Sequence, residues 1–306
     1  MKVLVTGGCG FIGSYTIDLL IKNGYDVLSL DINIEKTRIN KSAKYIKADI
    51  LSKKIFDIFK KFSPSIVFHF AAQTNLRSSI EDPKRDAKLN ILGTINILEA
   101  CRKYNVKKII YSSSAAVYGE PKYLPVDENH YTKPESPYGL SKLVGEMYIQ
   151  MYNKLFGLNY TILRYSNVFG PKQNIKDGGV ISLFINKILK NERPIIFGDG
   201  KQTRDFIFVE NVAKANLLAI NWKNDVYNIS SSKETSILDL FEKIRKNLKK
   251  DIKPIFAEPK KEVRRIVLSN KKALKMGWKE EIDFEEGLKK TIEYFKKCSM
   301  SNSTKI

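Results

Sequence analysis

The chain contains few of the residues that build metal centres and disulfide frameworks. Its 306 residues include three cysteines and two histidines. The cysteines are odd in number and scattered, at Cys9, Cys101 and Cys298. With so few histidines, no metal cluster can be assembled from the usual ligand spacings. We therefore expect no metal site, and a reducing cytoplasm as the natural location.

Long hydrophobic runs are also missing. No apolar run approaches ~20 residues, and the N-terminus leads directly into a predicted strand. We therefore expect neither a membrane span nor a signal peptide. A hydrophobic content of 43% and a charged content of 28% are those of a soluble globular protein. The length suits one large α/β unit, or two lobes that share a core.

Acidic residues are in deficit. There are 33 Asp and Glu against 53 Lys and Arg, which gives a formal net charge of +20. Such a charge can indicate nucleic acid or an acidic membrane surface. The lysines, however, are spread through the chain, and no Arg/aromatic block of an RNA-binding kind is present. We expect no nucleic-acid or membrane partner, although the charge would favour an anionic substrate.

The first thirty residues predict a βαβ unit. A buried strand at 2–6 leads into the glycine-rich stretch 7–13, and helical periodicity then continues to Asn23. A second strand follows at 26–30. A unit of this length with a glycine-rich first turn is typical of dinucleotide binding.

Each glycine of the turn has its own task. Gly7 permits the tight turn, Gly10 lets backbone amides approach a pyrophosphate, and Gly13 allows the helix to pack closely on the strand. Asp31 ends the second strand and can accept both ribose hydroxyls of an adenosine. A 2′-phosphate would meet that carboxylate, so the sequence predicts NAD rather than NADP.

Strand and helix signals then alternate. We predict strands at 44–47, 66–72, 108–112 and 160–164, and helices at 83–104 and 138–156. This alternation predicts an α/β fold with a doubly wound parallel (Rossmann) sheet, whose ligands bind beyond the C-terminal strand ends. Asp31, Asp49, Ala71 and Ser114 fall at such ends. His69 lies within an apolar strand, and we interpret it as a packed core histidine.

After residue 165 shorter elements follow one another. We predict a Rossmann domain at 1–166, to which the chain returns around 203–229. A smaller α/β substrate lobe would comprise 167–202 and 230–298. Residues 299–306 are polar and predict a disordered tail.

Tyr138 and Lys142 are four residues apart on a predicted helix, so both side chains can point into one space. An ammonium beside a phenol favours the phenolate and lowers the pKa of the tyrosine. This spacing alone is weak evidence, because most such pairs lie on solvated surfaces. The hydroxyl run 112–114 and the dinucleotide loop strengthen it.

In combination these motifs resemble the extended short-chain dehydrogenase/reductase family, and within it the nucleotide-sugar epimerase branch. The resemblance covers roughly residues 1–295. The motifs that carry it are TGGCGFIG at 6–13, HFAAQ at 69–73, NILGT at 90–94, SSSAAVYG at 112–119, SPYGLSK at 136–142, LRYSNVFGP at 163–171 and GDGKQTRDF at 198–206.

The resemblance implies a reversible, NAD-dependent oxidation at C4 of a nucleotide sugar, which would interconvert UDP-glucose and UDP-galactose or their N-acetyl forms. Tyr138 would be the general base, Lys142 would hold the nicotinamide ribose and depress the pKa of the phenol, and Ser114 would bind the 4-oxygen. Asn90 and Tyr165 would support the nicotinamide region. The implied cofactor-binding residues are Gly7, Gly10, Phe11, Ile12, Gly13, Asp31, Asp49, Ile50, Phe70, Ala71, Ala72, Asn90, Ser112, Tyr138, Lys142 and Tyr165.

The implied substrate-binding residues are Ser114, Asn167, Val180, Arg204 and Lys260. Arginine offers a planar fork to a diphosphate, although a surface ion pair of Arg204 with Asp205 is an alternative. The chain departs from the family at 258–265, which reads EPKKEVRR where members usually have Arg-Pro-Gly-Asp or Arg-x-Gly-Glu. Either Pro259 replaces the arginine or Lys260 takes its place, and lysine supplies only a point charge.

Two other classes of function compete with epimerisation. A 4,6-dehydratase of this family carries Thr-Asp-Glu where this chain has Ser114, Ala115 and Ala116, and two alanines cannot move protons. A UDP-uronate 4-epimerase is a further variant of the same chemistry. A non-catalytic dinucleotide sensor or nucleic-acid-binding protein often lacks the tyrosine or lysine that this chain retains.

The family also implies a homodimer in which two helices, here about 84–104 and 138–156, pair across a twofold axis. The second helix has a broad apolar surface. Its members are Leu140, Leu143, Val144, Met147, Tyr148, Met151 and Leu155. Burial within the chain would use the same residues.

Overall fold

The computed structural model describes residues 1–35, 38–175, 179–260 and 263–303. Residues 301–303 are described by their backbone only. Its strands are β1 (Lys2–Thr6), β2 (Asp26–Asp31), β3 (Lys44–Lys47), β4 (Ile66–His69), β5 (Lys108–Ser114), β6 (Asn159–Tyr165), β7 (Asn167–Phe169), β8 (Ile195–Phe197), β9 (Thr203–Arg204), β10 (Phe206–Phe208), β11 (Val226–Ile229), β12 (Thr235–Ser236) and β13 (Ile255–Ala257). Its α-helices are α1 (Phe11–Lys22), α2 (Lys54–Phe62), α3 (Leu76–Glu81), α4 (Pro83–Ala87), α5 (Gly93–Lys103), α6 (Pro137–Phe156), α7 (Val180–Leu189), α8 (Val209–Ala219), α9 (Ile237–Leu248), α10 (Lys271–Lys275) and α11 (Phe284–Ser303).

A seven-stranded sheet in the order β11-β6-β5-β4-β1-β2-β3 forms the centre of the protein. Every pairing in it is parallel. The inner strands are continuous apolar runs such as Val3–Val5, because helices cover both faces. Side chains of α1 and α8 pack on one face, and those of α2, α5 and α6 pack on the other. The predicted doubly wound fold is confirmed.

A separate core lies in the C-terminal half. It is formed by apolar side chains of α7, α9 and α11 around Phe169 and Phe208. The chain also returns to the large sheet, where β11 pairs with β6 at the edge and α8 packs against α1. The last helix continues to Ser303, into the predicted tail at 299–306, whose residues 304–306 lie outside the described residues.

Two local features differ from the predicted elements. The helix expected at 83–104 contains a π-helical turn at Lys88–Leu92, between α4 and α5. The strand expected at 66–72 ends at His69, where the chain turns toward the sheet edge. In the part of the chain that the structure describes, no helix is both long and apolar enough to cross a membrane.

Candidate active site

A cavity of about 830 Å³ opens at the C-terminal ends of the central strands. Gly7, Asp31, Phe70 and Ser114 line one wall, each at or just beyond the end of a parallel strand. Residues of α7, β8 and β9 line the opposite wall. Ligands of doubly wound sheets bind at this edge, where strand ends and helix N-termini converge.

The cavity brings together most of the residues that the sequence singled out. The predicted residues that line it are Gly7, Gly10, Phe11, Ile12, Gly13, Asp31, Asp49, Ile50, Phe70, Ala71, Ala72, Ser112, Ser114, Tyr138, Tyr165, Asn167, Val180, Arg204 and Lys260. Asn90 and Lys142 are buried and are not among the residues that line the cavity.

The glycine-rich turn is too tight for side chains. Gly7 has a φ of +69°, and a Cβ at Gly13 would lie 2.4 Å from the Gly7 carbonyl oxygen. Helix α1 starts directly after Gly10, whose N-cap position supplies no side-chain hydrogen bond. The first amides of α1 therefore face the cavity with the positive end of the helix dipole, a geometry that suits a pyrophosphate. The donor set fits a dinucleotide.

Asp31 lies at one end of this cradle, where it lines the cavity. Its carboxylate accepts hydrogen bonds from the backbone amides of Cys9, at 3.0 Å, and Asn33, at 3.1 Å. Burial is the main cause that raises the pKa of Asp31, and these amides oppose the rise. The carboxylate is thus held rigidly at the rim of the cavity, where a ribose can reach it.

Arg38 is a residue at this end that the sequence analysis missed. Its guanidinium donates to the carbonyl oxygens of Cys9, at 3.2 Å, and Lys172, at 2.8 Å, and it lines the cavity. It therefore ties the glycine-rich turn to the chain that leads into the C-terminal half. Its position a few residues beyond the second strand, where dinucleotide-binding arginines occur, was the available signal.

Local sequence sets the start of α6, which carries Tyr138 and Lys142. Ser136 caps the helix by accepting from the Gly139 amide at 3.1 Å, and Pro137 occupies the first helical position. Gly139 lets the first turn of α6 approach the 3-10 turn at Ala115–Val117, just after β5, because a Cβ there would lie 2.5 Å from the Ala116 carbonyl oxygen. Tyr138 is thereby placed beside Ser114.

The ammonium group of Lys142 is held in place by contacts with β5. Its Nζ donates to the Ser112 carbonyl oxygen at 2.8 Å and lies 5.0 Å from the centre of the Tyr111 ring. The side chain is only 2% exposed. Burial lowers the pKa of Lys142 to about 8, and Asp86 and Glu146 act in the opposite direction.

Burial shifts the pKa of the Tyr138 phenol in the opposite direction. Burial raises the pKa of Tyr138 to about 12, and a hydrogen bond from Ser114 only partly offsets the rise. The expected depression of this pKa by Lys142 is therefore wrong for the protein alone. The phenol is desolvated, while the ammonium is itself held at the Ser112 carbonyl.

Asn90 organises the buried side of the site. It lies in the π-helical turn, accepts from the Gln73 amide at 2.8 Å and donates to Ser141, which lies between Tyr138 and Lys142, at 3.0 Å. A π-turn inserts one residue and turns this side chain inward. Sequence patterns carry no π-turn signal, so this geometry was not predicted.

Asp86 is a second residue that the sequence analysis missed. Its Oδ1 accepts from Asn90 at 3.1 Å and from Gln73 at 3.2 Å, whereas its Oδ2 is buried and has no hydrogen-bond partner in the part of the chain that the structure describes. Burial raises the pKa of Asp86, and Lys142 opposes the rise. An acid four residues before Asn90 on a helix was the signal that could have found it.

Tyr165 and His69 have different surroundings. The Tyr165 hydroxyl donates to Asn216 at 2.6 Å while its ring lines the cavity. His69 bridges Thr6, at 2.7 Å, and Thr94, at 3.0 Å, away from the cavity. Burial lowers the pKa of His69 to about 3, so it is a neutral core histidine, in agreement with the sequence interpretation.

The C-terminal half contributes cations to the opposite wall. Nη1 of Arg204 donates to the Thr203 carbonyl oxygen at 2.8 Å, and Nζ of Lys260 lies 3.5 Å from the centre of the Phe197 ring. Of the two alternatives for the stretch 258–265, Lys260 is the residue that lines the cavity. Two residues of that stretch, Lys261 and Glu262, lie outside the described residues.

Asp205, the alternative partner considered for Arg204, points elsewhere. It is buried, and its carboxylate accepts from the amides of Ser231, at 3.0 Å, and Leu268, at 3.1 Å. Burial raises the pKa of Asp205 to about 6. The backbone oxygen of Asp205 also accepts from Asn167, which brings that amide side chain to the cavity.

Known proteins are similar to this chain in sequence and in structure. Residues 3–230 match the NAD dependent epimerase/dehydratase family. The chain is 53% identical over 300 residues to a Methanocaldococcus jannaschii protein provisionally named UDP-glucose 4-epimerase, covering 96% of this chain and 98% of that one.

Two solved structures are also close. UDP-glucose 4-epimerase of Thermotoga maritima, solved with UDP-glucose, is 40% identical with a TM-score of 0.96 and covers 98% of this chain and 100% of its own. UDP-N-acetylglucosamine 4-epimerase of Methanobrevibacter ruminantium, in complex with UDP-N-acetylmuramic acid, is 36% identical with a TM-score of 0.92, covering 97% and 98% respectively.

A family match across most of the chain, the high identity to named epimerases and a dinucleotide cradle in the structure all lead to one assignment. The chain belongs to the NAD-dependent epimerase/dehydratase family, as an isomerase of the extended short-chain dehydrogenase/reductase type that resembles UDP-glucose 4-epimerase and uses NAD.

Proposed function

We propose that the protein is a nucleotide-sugar 4-epimerase that interconverts UDP-glucose and UDP-galactose, or their N-acetyl forms, through a transient 4-keto sugar. The observation that carries this proposal is the Tyr138–Ser114 pair on the cavity wall, with Lys142 fixed behind it. A phenol, a hydroxyl and an ammonium in one place can remove a proton from an alcohol and steady the oxygen that remains.

In the proposed reaction Tyr138 takes the proton of the sugar 4-hydroxyl. Ser114, whose oxygen already accepts from the Ala116 amide at 3.2 Å, donates to the same sugar oxygen as it gains carbonyl character. Lys142 supplies a fixed positive charge beneath the pair. NAD, when bound, would supply a reversible hydride acceptor for C4 of the sugar and would not be consumed overall. Tyr138 then gives its proton back.

The residues that would hold NAD form a continuous track. The amides after Gly10 would hold its pyrophosphate, Asp31 would hold the adenosine ribose, and Lys142 would hold the nicotinamide ribose. The close approach of Gly7 to the Ala71 backbone narrows this track, because a Cβ at Gly7 would lie 2.6 Å from the Ala71 nitrogen. A cofactor that stays bound through two hydride transfers needs such a fit.

The substrate diphosphate would lie against the opposite wall. Arg204, Lys260 and Asn167 supply donors there. Arg204 can offer a planar fork, whereas Lys260, partly engaged with the Phe197 ring, offers a point charge. This arrangement supports a nucleoside diphosphate sugar with its hexose directed toward Tyr138.

Dehydration is the alternative reaction for this family. It needs an acid and a base near C5 and C6 of the sugar. The chain directly beyond Ser114 instead forms a short 3-10 turn that begins with Ala115 and Ala116, which have no proton to give or take. This argues for epimerisation, with a UDP-uronate as the variant substrate that would need a further cation.

We also propose a homodimer built on α6. Leu140, Met147, Met151 and Leu155 are 41% to 60% exposed and recur at helical spacing along one face. Leu92, at the end of the π-turn, is 55% exposed as well. Leu143, Val144 and Tyr148 are half-buried, so part of the predicted apolar surface covers the sheet and part remains outside. An exposed apolar stripe of this kind suits a second copy of the chain.

The test is to incubate the purified protein with UDP-glucose and, separately, with UDP-N-acetylglucosamine, with and without added NAD, and to resolve the 4-epimers. Formation of the matching galacto-sugar without net NADH production supports the proposal. UDP-glucuronate serves as a third substrate.

Two results would reject the proposal. Release of water with a keto sugar product would assign the dehydratase reaction. Absence of turnover on all three nucleotide sugars, in protein shown by absorbance to contain NAD, would reject a 4-epimerase of UDP-sugars.

A further inference from the structure

A buried ion pair lies directly behind the catalytic residues, and the proposed mechanism does not use it. Glu146 and Arg164 are joined by two hydrogen bonds, from Nε at 2.9 Å and from Nη2 at 2.6 Å. Both side chains are buried, at 2% and 7% exposure. The same Glu146 carboxylate also accepts from the hydroxyl of Ser113.

Three secondary structure elements meet at this carboxylate. Glu146 lies on α6, four residues after Lys142 and eight after Tyr138, so the three side chains share one face of the helix. Ser113 lies on β5 between Ser112 and Ser114. The carboxylate therefore touches the strand and the helix that together carry the catalytic groups.

The sheet register completes the arrangement. Ser113 is the direct neighbour of Arg164 across β5 and β6, and Ser114 is the neighbour of Tyr165. Side chains alternate along a strand, so Ser113 and Arg164 point to the α6 face. Ser114 leaves the strand end to reach Tyr138. Glu146 thus bonds the one hydroxyl of the serine run that faces its helix.

Burying two charges is unfavourable unless the geometry satisfies them, and an apolar pair would fill the same space at less cost. The pair here is not fully satisfied either, because Nη1 of Arg164 is buried and has no hydrogen-bond partner among the described residues, with the guanidinium above the Tyr118 ring. Hydrogen bonds are directional, so the contacts of Glu146 can fix the register between β5 and α6. An apolar contact does not fix it in this way.

We propose that Glu146 is a positioning residue: held by Arg164, it anchors Ser113 and so fixes the strand end that carries Ser112 and Ser114 against the helix face that carries Tyr138 and Lys142. The proposal rests on the proposed epimerase function for its kinetic test. It assigns no direct contact with substrate to Glu146.

Glu146 also contributes charge. Groups on four elements face Lys142: Asp86 on α4, Glu146 on α6, Tyr111 on β5 and His69 on β4. Burial lowers the pKa of Lys142, and the negative charges of Asp86 and Glu146 raise it. Removal of the charge of Glu146 therefore moves the loss of the Lys142 proton to lower pH.

The decisive variant is Ser113→Ala, which removes one hydroxyl and leaves the ion pair in place. Thr161→Val is the matched control, because Thr161 is also a buried hydroxyl of the same sheet, and it donates only to the Ala219 carbonyl oxygen, at 3.2 Å, away from the cavity. We expect Ser113→Ala to lower kcat about tenfold with KM changed less than about twofold. Thr161→Val keeps the wild-type kcat.

Glu146→Gln gives an independent readout. Isotope-edited NMR of the lysine side chains, with Lys142→Arg to assign the signal, follows the titration of Lys142 without any substrate. We expect the midpoint to move to lower pH in Glu146→Gln and to stay in place in Ser113→Ala. Should Glu146→Gln fail to fold, the comparison of Ser113→Ala with Thr161→Val still decides.

The proposal is overturned if Ser113→Ala matches Thr161→Val in kcat, or if its whole effect lies in KM. It is also overturned if a folded Glu146→Gln retains both the wild-type kcat and the wild-type lysine midpoint. Failure of the proposed function has a different signature, since the wild-type protein would then epimerise no UDP-sugar while the lysine midpoint still moved.

Discussion

Tyr138 and Lys142 have pKa values that are displaced in opposite directions by one cause. Burial disfavours whichever form is charged, so it raises the pKa of the phenol to about 12 and lowers that of the ammonium to about 8. At neutral pH the protein alone holds a neutral phenol beside an ammonium. The positive charge of an oxidised nicotinamide in the cavity would favour the phenolate. Proton removal is thereby coupled to cofactor binding.

Replacing the phenol of Tyr138 tests whether this residue is the general base. In Tyr138→Phe the ring still fills its place but cannot carry a proton, so we expect kcat to fall by about 10³-fold. NAD binding, measured by calorimetry, should stay within a few-fold of wild type, because the cradle around Gly10 and Asp31 is intact. Turnover near the wild-type rate would show that another group is the base.

His69 predicts a pH dependence of stability. Its pKa is lowered from 6.5 to about 3 in the folded state, so the unfolded chain binds the proton more readily. The stabilisation that comes from keeping His69 neutral is complete above the unfolded-state pKa of 6.5. It is lost as the pH falls toward the folded-state pKa of about 3. Near pH 5.5 the loss amounts to about 1.4 kcal/mol.

Urea unfolding at a series of pH values measures this loss. In His69→Gln the contribution of His69 to this pH dependence should disappear. The difference in free energy of unfolding between about pH 7.5 and pH 5.5 should therefore shrink by about 1.4 kcal/mol relative to wild type. An unchanged difference would mean that His69 is protonated in the folded protein.

At the scale of elements, the helix α6 connects sequence to chemistry most directly. The sequence predicts it at 138–156 and the structure has it at Pro137–Phe156. The agreement has local causes: Ser136 caps the start, and Gly157, with a φ of +71°, ends the helix. The π-turn at Lys88–Leu92 has no such local signal, because tertiary hydrogen bonds of Asn90 stabilise it.

Gly139, inside α6, and Gly157, which follows its last residue, predict different phenotypes. Gly139→Ala forces a Cβ to 2.5 Å from the Ala116 carbonyl oxygen, so the first turn must move and take Tyr138 with it. We expect kcat to fall at least tenfold. Gly157→Ala meets no atom within 4 Å but adopts an unfavourable backbone conformation, at a cost of about 1 kcal/mol in stability.

Parallel measurements of kcat and thermal unfolding separate these effects. Gly139→Ala should lose activity in still-folded protein, while Gly157→Ala should lose some stability and keep its kcat. Equal activity in the two variants would mean that the close approach of α6 to the Ala116 carbonyl does not position Tyr138.

At the scale of the whole molecule, the exposed stripe on α6 predicts dimerisation. A charge at the centre of an apolar interface is costly, so Met147→Glu should give monomers in size-exclusion chromatography with light scattering. Leu274→Glu is the control, because Leu274 is also about half exposed but lies on α10, away from the stripe. A wild-type protein that is monomeric at micromolar concentration would refute the prediction.

The sequence by itself determined the fold class and the cofactor, and it supplied the candidate catalytic groups. These depend on local patterns, since a strand–glycine turn–helix makes its own anion site and a carboxylate at the second strand end selects the ribose. Spacing along one helix also sufficed to pair Tyr138 with Lys142.

Only the tertiary structure decided what surrounds those groups. The raised pKa of Tyr138, the inward turn of Asn90, the orphaned oxygen of Asp86 and the Ser113–Glu146–Arg164 contact all depend on residues brought together from distant parts of the chain. Burial and hydrogen-bond geometry arise from that packing, and they set the charge state at which the site works.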